Sequence, residues 1–199
     1  MRTDRRKMMI LHGLPITYER LKYISNPNKG YIDTGFVPNQ DTRIVCTIKI
    51  SKIGTSLCFG SSSRWDVNAF EFWPYHESGE SSQIGYDGQW ALKEYVPPFD
   101  TLCEIDFNKN VWNYNGVINT FSYTKFTCPW NLFIWHSKRY GSSIYGNVDY
   151  YDSFKIYDNG KLIRDFIPAK RKSDGVIGMY DLVGRKFYTS PNGVAFTGG

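Results

Sequence analysis

The sequence predicts an all-β chain, a sandwich or jelly roll of antiparallel sheets. Three observations carry this reading. Short runs rich in Val, Ile, Phe, Tyr and Thr recur along the chain between clusters of Gly, Pro, Asn, Asp and Ser, the pattern of strands joined by turns. No window sustains the 3.6-residue apolar period that a helix burying one face requires. Two Asn-Gly pairs, Asn115-Gly116 and Asn159-Gly160, sit inside strand-forming runs. Asn and Gly tolerate φ > 0, which a tight two-residue hairpin turn demands at both central positions.

Taken in order, residues 1–20 read as a basic arm with Gly13, Pro15 and little strand pattern, and residues 21–199 as one sandwich. Residues 16–24 have room for one helical turn. "SNPNKG" is a turn before the strand "YIDTGF". In "TRIVCTIKIS" the side chains alternate. Ile44, Cys46, Ile48 and Ile50 share one face and Arg43, Val45, Thr47 and Lys49 the other, as in a half-buried strand. "SLCFGS", "NAFEFW", "TLCEIDF", "VWNYNGVINTF" and "NLFIWH" continue the series, and "FKIYDNGKLIRDF", "VIGMYDLVGRKFYTS" and "GVAF" close it. There is no internal repeat and no domain boundary after about residue 22.

Aromatic residues make up 17% of the chain, enough large side chains for a substantial core and against wholesale disorder. The formal net charge is +5. Six cationic and two acidic side chains fall within residues 1–24, so nearly all of the excess sits in this first segment and nucleic acid is not an expected partner. The apolar run "MMIL" is shorter than the ~7–15 residues of a signal-peptide core, and no stretch approaches the ~20 of a membrane span. The sequence therefore predicts a chain made in the cytoplasm, without export or membrane insertion.

Cys46, Cys58, Cys103 and Cys128 are widely spaced with no C-x-x-C pair, and read as reduced thiols acting as small core residues. His12, His76 and His136 have no partner at metal-ligand spacing, and the scattered aspartates lack the spacing of a calcium loop, so neither metal nor cofactor is expected. No G-x-S-x-G elbow, phosphate loop or dinucleotide fingerprint occurs. In "CEIDFNKN", Glu104 and Asp106 share a strand face, as paired carboxylates of β-sandwich glycoside hydrolases do. Asn108 occupies the next position on that face and Lys109 follows it, so the third carboxylate is missing. The expectation is no catalysis and no catalytic residues.

The segment from residue 65 to 90 holds Trp65, Trp73, Tyr75, Tyr86 and Trp90 among Ser, Gly, Asp, Asn and Glu. An aromatic face stacks on the C–H face of a sugar while neighbouring amides and carboxylates bind its hydroxyls. Trp65, Tyr75, Tyr86 and Trp90 lie among turn residues and are the expected ligand-binding set. Trp73 continues a strand and is held back.

At "LKYISNPNKGYIDTGFVPNQDTRI" and "FKIYDNGKLIRDFIPAKRKSDGVIGMYDLVGRKFYT" the chain resembles the concanavalin A-like lectin/glucanase group, in the LamG-like branch found in phage structural proteins and gut-bacterial surface proteins. The middle of the chain matches only by strand pattern. The resemblance implies a jelly roll of two antiparallel sheets, with glycan binding or structural decoration as its usual roles. Together with the missing export signal it implies a non-catalytic virion component, a capsid fibre, decoration or tail protein. Its expected partners are a cell-surface glycan, other virion proteins reached through the arm, and further copies of the chain. A bacterial surface lectin and a glycoside hydrolase of the same fold are the alternatives.

Overall fold

The computed structural model describes residues 13–50, 57–64, 67–75, 81–93 and 97–199. Among them the chain forms nineteen strands and no helix. The strands are β1 (Tyr18–Arg20), β2 (Tyr23–Ser25), β3 (Ile32–Asp33), β4 (Thr42–Lys49), β5 (Phe59–Ser61), β6 (Ala69–Trp73), β7 (Ser82–Asp87), β8 (Gln89–Lys93), β9 (Leu102–Asn108) and β10 (Val111–Tyr114). Then follow β11 (Val117–Thr120), β12 (Phe133–Ile134), β13 (His136–Arg139), β14 (Ser142–Tyr145), β15 (Asp149–Asp158), β16 (Lys161–Arg171), β17 (Ile177–Asp181), β18 (Lys186–Tyr188) and β19 (Thr197–Gly198).

Two antiparallel sheets make an all-β sandwich consistent with a jelly roll. The large sheet runs β11-β10-β9-β4-β15-β16-β17-β18, with β1 beside β16, and with β2 between β15 and β19. The small sheet runs β3-β12-β5-β6-β7-β8, and β13 and β14 form a separate hairpin. The Asn115-Gly116 and Asn159-Gly160 pairs are each two-residue turns. Asn115 and Gly116 have φ of 50° and 83° between paired Tyr114 and Val117, and Asn159 and Gly160 have φ of 46° and 80° between paired Asp158 and Lys161.

Strand β4 alternates as its sequence requires, with Ile44, Cys46 and Ile48 buried and Arg43, Val45, Thr47 and Lys49 half-buried. Strand β9 does the same, sending Cys103, Ile105 and Phe107 inward. Between the sheets lies an aromatic lattice. Phe107 stacks on Trp112 at 4.1 Å and meets Phe72 edge-on at 4.8 Å, and Phe59 touches Phe70, Phe72, Phe107 and Phe154. Such pairs add about 0.5–1.5 kcal/mol each beyond the area they bury. All four cysteines are free and buried, and burial pushes the Cys103 thiol up to about 12, so these thiols act as apolar filler.

Two expectations are corrected at the N-terminal side. Residues 16–24 are not helical, because Tyr18–Arg20 pairs with Arg171–Ala169 of β16 and Ile24 pairs with Tyr150. The sandwich therefore begins before residue 21. Tyr18 sits 4.9 Å from Tyr180 and 5.0 Å from Phe187, and with Leu14 it covers Ile167 and Ala169 on the outer side of the large sheet. The rest of the expected arm, residues 1–12, lies outside the described residues. Among the described residues no helix is long and apolar enough to cross a membrane.

Candidate functional site

The site is built on the outward face of the small sheet. Along β6 the period of two sends Phe70 and Phe72 into the core and leaves Glu71 and Trp73 on the other face. Glu71 is nevertheless fully buried, because the β13–β14 hairpin lies across that face. Its carboxylate accepts hydrogen bonds from the hydroxyls of Ser62 and Ser137, from Nε (3.0 Å) and Nη2 of Arg139, and from the indole Nε1 of Trp73 (3.2 Å). The Arg139 guanidinium lies 5.1 Å from the Trp73 ring and 4.7 Å from the Trp90 ring. A buried carboxylate with this many donors ties the hairpin to the sheet.

The hairpin comes this close because Gly60 has no side chain. A Cβ there would stand 2.6 Å from Cβ of Ser137. Tyr140 and Gly141, with φ of 49° and 76°, make the hairpin's two-residue turn. At its base His136 is boxed by Tyr31 (4.6 Å, stacked), Phe133 (4.8 Å, edge-on) and Tyr145 (5.0 Å). Burial, helped by the nearby Lys138 charge, lowers its pKa to about 4, so the imidazole is neutral at physiological pH.

Between the hairpin and the loop at Asn26 opens a groove of about 640 Å³. Trp73, Gln83, Arg139, Tyr145, Asn147 and Asn26 are among its lining residues, with Lys29 at the rim. The volume falls within the ~300–1,000 Å³ range of small-molecule sites. The loop is rigid. Asn26 Nδ2 donates to the carbonyls of Gly30 (2.7 Å) and Gly146 (2.9 Å), and its Oδ1 accepts from the Gly30 N–H (2.8 Å). Gly146 is locked in turn, since a Cβ there would lie 1.6 Å from the Leu57 carbonyl oxygen. Aromatic rings beside amides, a hydroxyl and cations make a surface that can stack on an apolar ring face and hydrogen-bond its polar edge.

Of the four expected binding residues, the three that are described, Tyr75, Tyr86 and Trp90, are not among the groove's lining residues. Tyr86 does not leave the core from a turn. It lies in β7, fully buried, stacked on Phe121 at 5.6 Å and edge-on to Phe126 at 4.9 Å, because it shares strand parity with Ile84. Tyr75 is buried against Phe99. Trp90 is half-buried over Gly85 and supports Arg139 from behind the groove. Trp65 lies outside the described residues. Among the described residues of this segment, Trp73 is the aromatic ring that lines the groove. Its signal was its parity with Glu71. Arg139, Tyr145, Asn147 and Asn26 carry no comparable mark, since only the folded chain brings their segments together.

Glu104 and Asp106 lie on the outer face of the large sheet, away from the groove. Glu104 is exposed, and Asp106 is held by Nε and Nη2 of Arg43 at 2.8 and 2.7 Å. No acidic side chain is among the groove's described lining residues. Among the described residues no group of three or more His, Cys, Asp or Glu side chains is placed to hold a metal ion. In comparisons with known proteins, no family model and no curated protein matches the chain.

Proposed function

We propose that the chain is a non-catalytic, concanavalin A-like (LamG-like) jelly roll that binds carbohydrate in the groove at Trp73, Gln83, Arg139, Tyr145 and Asn147, and that a phage virion displays it for attachment to host-surface glycans. The observation that carries the binding role is the groove itself. An indole and a phenol stand beside amide groups, on a floor made stiff by the Glu71–Arg139 pair. Preorganised polar groups do not have to be ordered when a ligand arrives. The virion role rests on the resemblance at the two ends of the chain. Attachment to other virion proteins is assigned to residues 1–12, and self-association would multiply weak sugar contacts.

Monovalent affinity in the millimolar to micromolar range is expected, about 4–8 kcal/mol. The test is a glycan array probed with multivalent protein, comparing wild type with Gln83→Ala and Lys29→Ala. Both side chains are at least partly exposed, so both variants should fold. A specific glycan signal lost in folded variants supports the reading. A wild-type protein that binds no glycan refutes it. Incubation with β-glucans and galactans should release no reducing ends, and detection of the chain in purified phage particles tests the virion role.

A further inference from the structure

A second depression of about 390 Å³ lies beside the groove. The two share Asn26, Pro27 and Asn147 as a common wall. Beyond that wall the lining comes from the large sheet, through Tyr23, Lys49, Asp149, Tyr151 and Thr197. We propose that these two depressions form one extended site, so that the ligand is a linear oligosaccharide crossing the wall at Asn26, Pro27 and Asn147 and held along its length rather than by a terminal sugar. The inference rests on the carbohydrate reading of the first groove.

The second depression has the features of a sugar subsite in its own right. Tyr23 and Tyr151 are cross-strand partners, and their half-buried rings stack 5.4 Å apart with 24° between the planes. The result is a firm aromatic patch on an otherwise polar surface. The register of β15 against β4 shifts between Tyr151 and Phe154, and Asp152 has φ of 58° there. Bulges of this kind re-aim side chains and concentrate next to binding sites. Lys49 Nζ stands 5.9 Å from the Tyr151 ring centroid and 3.2 Å from Asp100, which fixes an ammonium donor at the patch. The exposed Thr197 supplies a hydroxyl to its rim.

The wall between the two depressions is polar. Asn26 is buried and held by three bonds, whereas the buried Asn147 Oδ1 has no hydrogen-bond partner among the described residues. Asn147 therefore brings an unmet acceptor to the wall, which a hydroxyl of a chain crossing there would satisfy. Two aromatic patches flanking a polar crossing suit a chain of rings joined by hydroxyl-bearing links.

The experiment is calorimetric titration with size-fractionated β-glucan, galactan and O-antigen oligosaccharides, from disaccharide to octasaccharide. Affinity for the recognised series should rise roughly tenfold or more once the chain is long enough to cross the wall, about one good contact's worth. Lys49→Gln and Tyr151→Ala should remove that gain and leave affinity for the short members unchanged. Lys49→Gln is the safer variant, since it alters a side chain on the outer face. Affinity independent of length, or long-chain affinity unchanged in both folded variants, overturns the extended site while leaving the first groove as a glycan site. No binding by any oligosaccharide or array glycan overturns both.

Discussion

Removing Arg139 should strip a paired cation from a fully buried carboxylate. In Arg139→Ala, Glu71 keeps the hydroxyls of Ser62 and Ser137 and the Trp73 indole, but loses both guanidinium bonds and its counter-charge among the described residues. Breaking a buried pair by deleting one partner costs about 3–5 kcal/mol, because the remaining charge is left uncompensated. The Arg139 side chain is 17% exposed, so water entering from the groove offsets part of this and places the cost near the lower end. For a chain of this size each kcal/mol shifts Tm by about 2–4 °C, which gives a drop of roughly 6–12 °C at ~3 kcal/mol. Thermal melts followed by circular dichroism measure it. The double variant Glu71→Gln/Arg139→Ala should recover a good part of the loss, since no buried charge remains. A single variant within 2 °C of wild type, or a double variant no better than the single, would show that the pair is not what pins the hairpin.

Other outcomes follow from the same structure. His136 is lowered to about 4 in the fold and titrates near 6.5 when unfolded, so its contribution is complete above pH 6.5 and is lost as pH falls toward 4, at up to ~1.4 kcal/mol per pH unit. Urea denaturation across that range should give a flatter profile for His136→Gln, and identical profiles would exclude His136 as the cause. Gly146→Ala should destabilise by ~3 kcal/mol or more, seen as a lower urea midpoint, because its Cβ meets the Leu57 backbone. Deleting residues 1–20 removes Tyr18 and Leu14 from Ile167, Tyr180 and Phe187, and should lower Tm by several degrees. An unchanged Tm would mean that β1 adds nothing to the sandwich.

What the sequence could announce was local. The Asn-Gly turns, the alternation of β4 and β9 and the inward thiols each depend on a few neighbouring residues and one periodicity. The site depends on a hairpin at 136–145 folding over a strand at 69–73, a contact with no local signature. Asp87 and Gly88 mark a turn just beyond Tyr86 and draw the sequence reading toward an exposed ring. Its parity with Ile84 was the stronger signal and places it in the core. The sequence also left Tyr18 outside the sandwich, because a three-residue strand gains its meaning only from the partner strand 150 residues later.

The position of β4 sets a problem of timing. Its partner on one side, β9, follows at Leu102, but its partner on the other, β15, begins only at Asp149, a hundred residues after β4 ends at Lys49. At a synthesis rate of about 5–20 residues per second, that edge stays open for roughly 5–20 s on the ribosome. "TRIVCTIK" is rich in β-formers, and an open edge of such a strand is a template for pairing between nascent chains. The two cations that bracket it, Arg43 and Lys49, end up tied to Asp106 and Asp100 once the sheet closes. Like charges on neighbouring copies oppose such pairing, so neutralising both should lower the yield of soluble protein more than it lowers the stability of molecules that have already folded.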